Sequence, residues 1–212
     1  VEATLEIIEL PASPDLVFWA VQASFVDRGR RLGAGHLGLQ WHPGHPGSRA
    51  VNWGGYDTSG RELSGSSSVL PSSTGNANTR DLDWRSGIPY RLRIERCEHG
   101  WRGSVIDPTG ATAIVRDLVA GGAALTDVVV WTECFAPCDA LAGAVAWSDL
   151  TAVDPSGRAV VAAAATVGYQ RVDDGGCATS DSTVDGDRFV QRTGVARTTS
   201  PGARLTLRRA DQ

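Results

Sequence analysis

The chain contains no lysine and no methionine, so all 20 of its cationic residues are arginine. Without lysine there is no Schiff base, no phosphate-binding loop lysine and no Ser-Lys dyad. Long apolar runs are also missing. The most apolar stretches, Val128 to Trp131 and Ala159 to Val167, fall far short of the ~18 residues that a membrane-spanning helix needs, so no membrane span is expected. No basic stripe is present, and the net charge is −4. Nucleic acid is therefore not an expected partner. No Gly-x-Gly-x-x-Gly follows a strand, and no Gly-x-Ser-x-Gly elbow occurs. Nor is there a Cys-x-x-Cys or a helically spaced His pair, so neither a cofactor nor a metal is expected.

What is present points to strands and turns. The 212 residues are 42% hydrophobic and 21% charged, with 25 glycines and 10 prolines. That suits one folded, turn-rich domain over 1–212. Apolar and polar residues alternate with period two. Trp19, Val21, Ala23 and Phe25 share one face; Leu37, Leu39 and Trp41 share another; Tyr90, Leu92 and Ile94 point inward while Arg91, Arg93 and Glu95 point out. Further strands are predicted at Ala3 to Leu10, Ala50 to Trp53, Gly103 to Ile106, Ala111 to Arg116, Asp127 to Phe135, Ala144 to Thr151 and Ala203 to Arg208. Ala159 to Thr166 suits helix or strand equally. Hairpin loops are expected at Glu98-His99-Gly100, Asp107-Pro108-Thr109-Gly110 and Asp154-Pro155-Ser156-Gly157. Ser59 to Asp83 and Asp173 to Asp187 read as long polar loops. The spacing predicts an all-β, two-sheet antiparallel β-sandwich.

The four cysteines are Cys97, Cys134, Cys138 and Cys177. In an exported protein Cys134 would pair with Cys138 across a short bend, and Cys97 with Cys177; four free thiols would indicate the cytoplasm instead. The chain begins at Val1, which is read as either a mature terminus or the residue after a removed tag.

Three stretches carry a family resemblance: Gly35-His36-Leu37-Gly38-Leu39-Gln40, then Val51-Asn52-Trp53-Gly54-Gly55-Tyr56-Asp57, then Trp84-Arg85-Ser86-Gly87-Ile88-Pro89-Tyr90-Arg91-Leu92. Trp101 and Trp131-Thr132-Glu133-Cys134-Phe135 follow. In this order, over roughly residues 15 to 140, the chain resembles domain-of-unknown-function family 3472, with His36 in place of that family's usual aromatic. The resemblance implies a jelly-roll, concanavalin-like sandwich, often exported and found beside carbohydrate-related modules. It implies no catalytic residue.

The residues themselves suggest several sites. Glu133 lies in an apolar strand with Val129 and Trp131 on its face. Desolvated there, it would act as a general acid or base, helped by His36, Gln40 or Gln22; alternatively it pairs with Arg91 or Arg93. Trp53, Tyr56, Trp84 and Trp131, with Asn52, Asp57 and Gln22 beside them, suit a ligand site in which rings stack on sugars, unless the tryptophans are core. His42 and His45 are candidate bases or ligands, or solvated loop residues. Asp181, Asp185 and Asp187 loosely resemble a calcium loop. The leading expectation is a glycan-binding module of a secreted or cell-surface protein. The alternatives are an enzyme built on Glu133, as a glycan hydrolase or lyase or a cyclase, and a structural protein that binds no small molecule.

Overall fold

The computed structural model of the chain describes residues 1–139, 143–154 and 156–208. Its strands, in chain order, begin with β1 (Glu2–Glu9), β2 (Val17–Asp27), β3 (Arg30–Trp41), β4 (Arg49–Asp57), β5 (Thr79–Asp81), β6 (Pro89–Cys97), β7 (Gly100–Ile106) and β8 (Thr112–Val119). They continue with β9 (Ala124–Cys134), β10 (Gly143–Val153), β11 (Ala159–Val161), β12 (Ala164–Thr166), β13 (Ser180–Asp185), β14 (Arg188–Thr193) and β15 (Arg204–Thr206). One sheet runs β13-β14-β10-β1-β6-β7-β8, with β11 added beside β10; the other runs β5-β4-β3-β2-β9. Strands β12 and β15 form a separate pair. The fold is the predicted antiparallel β-sandwich.

The alternation seen in the sequence builds the core. Trp19, Val21, Phe25, Leu37, Leu39, Val51 and Trp53 of the five-stranded sheet meet Leu5, Ile7, Leu92, Ile94, Val145 and Trp147 of the larger one. Edge-on aromatic packing adds to the burial, as between Trp19 and Trp84 at 5.9 Å. Two of the buried indoles keep their N–H groups bonded: Trp84 donates to the Ala50 carbonyl at 3.1 Å and Trp53 to that of Trp101 at 3.2 Å. Trp53 also explains one glycine. A Cβ on Gly103 would lie 2.5 Å from the Trp53 ring, so only a bare backbone lets that ring lie flat between the sheets.

One capped turn is used three times. Asp57, Asp107 and Asp154 each accept, on a single carboxylate oxygen, two backbone N–H groups and one hydroxyl of the turn that follows. The Ser59 hydroxyl and the turn amides hold the Asp57 carboxyl down to about 2. Pro155, part of the third predicted loop, lies outside the described residues.

Two loop expectations are corrected. Ser59 to Asp83 is not loop throughout, because Thr79 to Asp81 forms β5 and pairs with β4. Asp173 to Asp187 is not a continuous loop, because Ser180 to Asp185 forms β13 and pairs with β14. Strand β14 had no predicted counterpart either. Both lie near the margin of the sheet, where β13 is polar and only partly buried, so period-two alternation barely registers. The ambiguous Ala159 to Thr166 resolves into two short strands rather than a helix.

Candidate active site

The outer face of the five-stranded sheet forms the floor of a cleft of about 930 Å³. In antiparallel strands, residues directly opposite one another share a face. Gln40 of β3 lies opposite Phe18 of β2, and Phe18 lies opposite Glu133 of β9. Gln40, Phe18 and Glu133 therefore form one row across three strands, with Phe18 buried between the two polar residues. Two strand spacings set the backbones of Gln40 and Glu133 about 10 Å apart. The next row along the strands carries Asn52, Gly38, Ala20 and Trp131. The row beyond carries Gly54, His36, Gln22 and Val129. The small residues between the polar ones keep the floor open.

Glu133 opens into the cleft and has no ion-pair partner among the described residues. Burial alone raises its pKa above the ordinary glutamate value. Arg91 and Arg93, its expected alternative partners, are instead held by Glu2 at 3.6 and 2.6 Å on the opposite sheet. Gln40 is buried, and its Oε1 atom has no hydrogen-bond partner. The sealed Oε1 is left without the partner a buried amide normally has, while the amide nitrogen makes no hydrogen bond with the described residues and is not sealed from the cleft. Asn52 is similar: its amide donates to Thr79 Oγ1 at 2.8 Å, while its own Oδ1 is unpartnered. His36 lies four residues before Gln40 on β3, about 13 Å along the strand. Burial lowers its pKa to about 4, so its ring is neutral above that pH.

The far wall comes from segments distant in sequence. Cys138 and Cys177 form a disulfide that fastens the stretch after Glu133 to the segment leading into β13. Asp181 anchors the same wall. It accepts hydrogen bonds from the Tyr169 hydroxyl at 3.3 Å, the Thr199 N–H at 2.9 Å and the Thr198 hydroxyl. Burial works to raise the Asp181 pKa, but the bonds from Thr198 and Thr199 outweigh it and hold the carboxyl down to about 2. Arg197 lies 3.8 Å over the Tyr169 ring and donates to the Ser180 carbonyl. Tyr169 and Arg197 gave no sequence signal, because neither lies in a motif or a periodic segment.

Several sequence expectations are corrected here. Trp53 and Trp84 are fully buried core residues and cannot stack on a ligand. Asp57 caps its own turn and is not part of the cleft lining. Gln22, Asn52, Tyr56 and Trp131 do line the cleft, together with His36, Gln40 and Glu133. Cys134 is a free thiol whose pKa is raised by burial, and Cys97 is also free, so neither expected cysteine pairing forms. His45 is not a solvated loop residue: it is buried, with Nδ1 2.5 Å from Asp81 Oδ1. Asp185 pairs with Arg188 across the β13–β14 turn at 2.9 Å, and Asp181 is committed as described, so the calcium-loop pattern does not assemble. No group of three metal-ligating side chains converges among the described residues.

No protein-family model and no curated protein matches the chain. Among solved structures the chain is similar to aspergilloglutamic peptidase from Aspergillus niger, with 14% identity and a TM-score of 0.49, covering 83% of this chain and 98% of that one. It is also similar to scytalido-glutamic peptidase with a transition state analog inhibitor, with 12% identity and a TM-score of 0.39, covering 91% of this chain and 90% of that one.

Proposed function

We propose that the chain hydrolyses acyl bonds of extended polypeptides through the Glu133 carboxyl and the Gln40 carboxamide, as a glutamic peptidase in the sense of the names above. One observation carries this: an unpaired carboxyl of raised pKa and a carboxamide whose amide nitrogen makes no hydrogen bond with the described residues share one row on the floor of an open cleft. The chemistry follows from the two groups. The Glu133 carboxylate takes a proton from a water molecule as its oxygen bonds to the substrate carbonyl carbon. The Gln40 amide N–H donates to the oxyanion that develops on the carbonyl oxygen. The protonated Glu133 then delivers its proton to the leaving nitrogen as the carbon–nitrogen bond breaks.

Acyl transfer suits this site better than glycoside cleavage. Glycosidases need two carboxyl groups flanking the bond. The second acid lining this cleft, Asp181, is tied into the wall and ionised. The volume of the cleft, near the upper end for small-molecule sites, suits a chain better than a compact metabolite. The Cys138–Cys177 disulfide supports an oxidising, extracellular setting.

The test is digestion of an unfolded protein substrate between pH 3 and 7, read by mass spectrometry. Wild type should cleave, while Glu133→Gln should lose cleavage with no loss of melting temperature and Gln40→Ala should lose cleavage while still unfolding cooperatively. Full cleavage by Glu133→Gln, or none by wild type, overturns the assignment.

A further inference from the structure

Beside the catalytic row the cleft floor carries a cluster of rings. Trp131 packs edge-on against Phe18 with centroids 5.0 Å apart. His36 packs edge-on against Phe18 at 5.7 Å and against Trp131 at 6.0 Å, and Tyr56 tilts towards His36 at 6.2 Å. Phe18 is sealed beneath the others, Tyr56 is half exposed, and His36 and Trp131 are partly open to the cleft. The geometry offers ring edges and faces to a fifth ring, the arrangement aromatic side chains favour.

The cluster also has a polar point. The His36 imidazole makes no hydrogen bond with the described residues, and its nitrogens are not sealed from the cleft. Kept neutral by burial, the ring presents one N–H donor and one acceptor. No charged side chain belongs to the cluster, and the nearest one, Glu133 opposite Phe18, is neutral in Glu133→Gln protein, so there a charged substrate residue placed on the cluster would lose hydration without gaining a counter-charge.

We propose that Phe18, His36, Tyr56 and Trp131 form a specificity subsite for an uncharged aromatic side chain bearing a hydroxyl, with His36 hydrogen-bonding the phenol. The proposal rests on the cleft being a peptide-binding active site, and it places the preferred residue within about one or two residues of the scissile bond, judged by the spacing of extended chains. Tyrosine is favoured over phenylalanine because the smaller residue leaves the imidazole unpartnered beneath it.

Binding is measured on Glu133→Gln protein, which holds substrate without turning it over, using extended peptides that differ only by Tyr, Phe, Lys or Glu at one position. The tyrosine peptide should bind about tenfold more tightly than the phenylalanine peptide, the size of one matched hydrogen bond, and the charged ones more weakly still. Adding His36→Phe should bring tyrosine down to the level of phenylalanine and leave phenylalanine unchanged. His36→Gln, which retains a donor and an acceptor, should restore part of the difference and guards against a folding defect in the first variant. Equal binding of Tyr and Phe, a preference that survives His36→Phe, or no peptide binding at all overturns the subsite. Wild-type cleavage without aromatic preference overturns the subsite and leaves the reaction standing. A His36-dependent tyrosine preference in binding, with no cleavage by wild type, upholds the subsite and overturns the reaction.

Discussion

Gln40 and Glu133 face the same cleft from β3 and β9, held in one row because both of their strands pair with β2 and both residues lie opposite or next in line to Phe18. The pair combines an unbonded carboxamide oxygen with a carboxyl whose only perturbation is burial.

The pH profile follows from the base role proposed for Glu133. Its pKa is raised, so kcat/KM should climb with pH through a limb centred above the ordinary glutamate value. A pH–rate series on one peptide checks this. A limb at or below the ordinary glutamate value would contradict the desolvated carboxyl.

Replacing Glu133 should not destabilise the fold. A carboxyl whose pKa is raised by folding costs stability once pH exceeds its unfolded pKa, and costs nothing below it. Glu133→Gln should therefore melt at or slightly above wild type at pH 7 and level with it at pH 3. A clear loss of melting temperature at pH 7 would reveal an undetected cationic partner.

The disulfide gives two countable outcomes. Denatured, unreduced protein should titrate two thiols, those of Cys97 and Cys134. Cys177→Ser opens a link that spans 39 positions and should cost about 4 kcal/mol in denaturant unfolding, by the loop-entropy relation. It should also raise KM more than it lowers kcat, because the tether shapes the cleft wall and Glu133 and Gln40 lie on other strands.

Asp181 carries the wall on hydrogen bonds. Its folded pKa is depressed to about 2, so its stabilisation is complete above the unfolded carboxylate value and is lost as pH falls towards 2. Asp181→Ala leaves the hydroxyls of Thr198 and Tyr169 and the Thr199 N–H without their acceptor, and should cost about 2–3 kcal/mol at pH 7. Most of that cost should vanish near pH 2. An equal cost at both pH values would assign the effect to packing alone.

The sandwich was legible from the residues themselves. Trp19, Val21 and Phe25, and likewise Tyr90, Leu92 and Ile94, declare their inward face through spacing alone, because period two is a local property of an extended chain. Glu133 was also visible, as a carboxylate inside an apolar strand. Two of the expected aromatic platforms were not what they resembled. A tryptophan in a strand looks alike in sequence whether its face points to the core or to solvent, and Trp53 and Trp84 point to the core.

By itself, the sequence determined the fold class, the turn positions at His99 and Asp107, and the chemical character of Glu133. Only the tertiary structure decided which groups stand beside that carboxyl. The register of β3, β2 and β9 brought Gln40 into its row and left Arg91 and Arg93 on the other sheet with Glu2. The physical reason is that strand pairing and disulfide partners are non-local. A shift of one residue in register would turn Gln40 to the core, and nothing within the sequence neighbourhood of either residue records that choice.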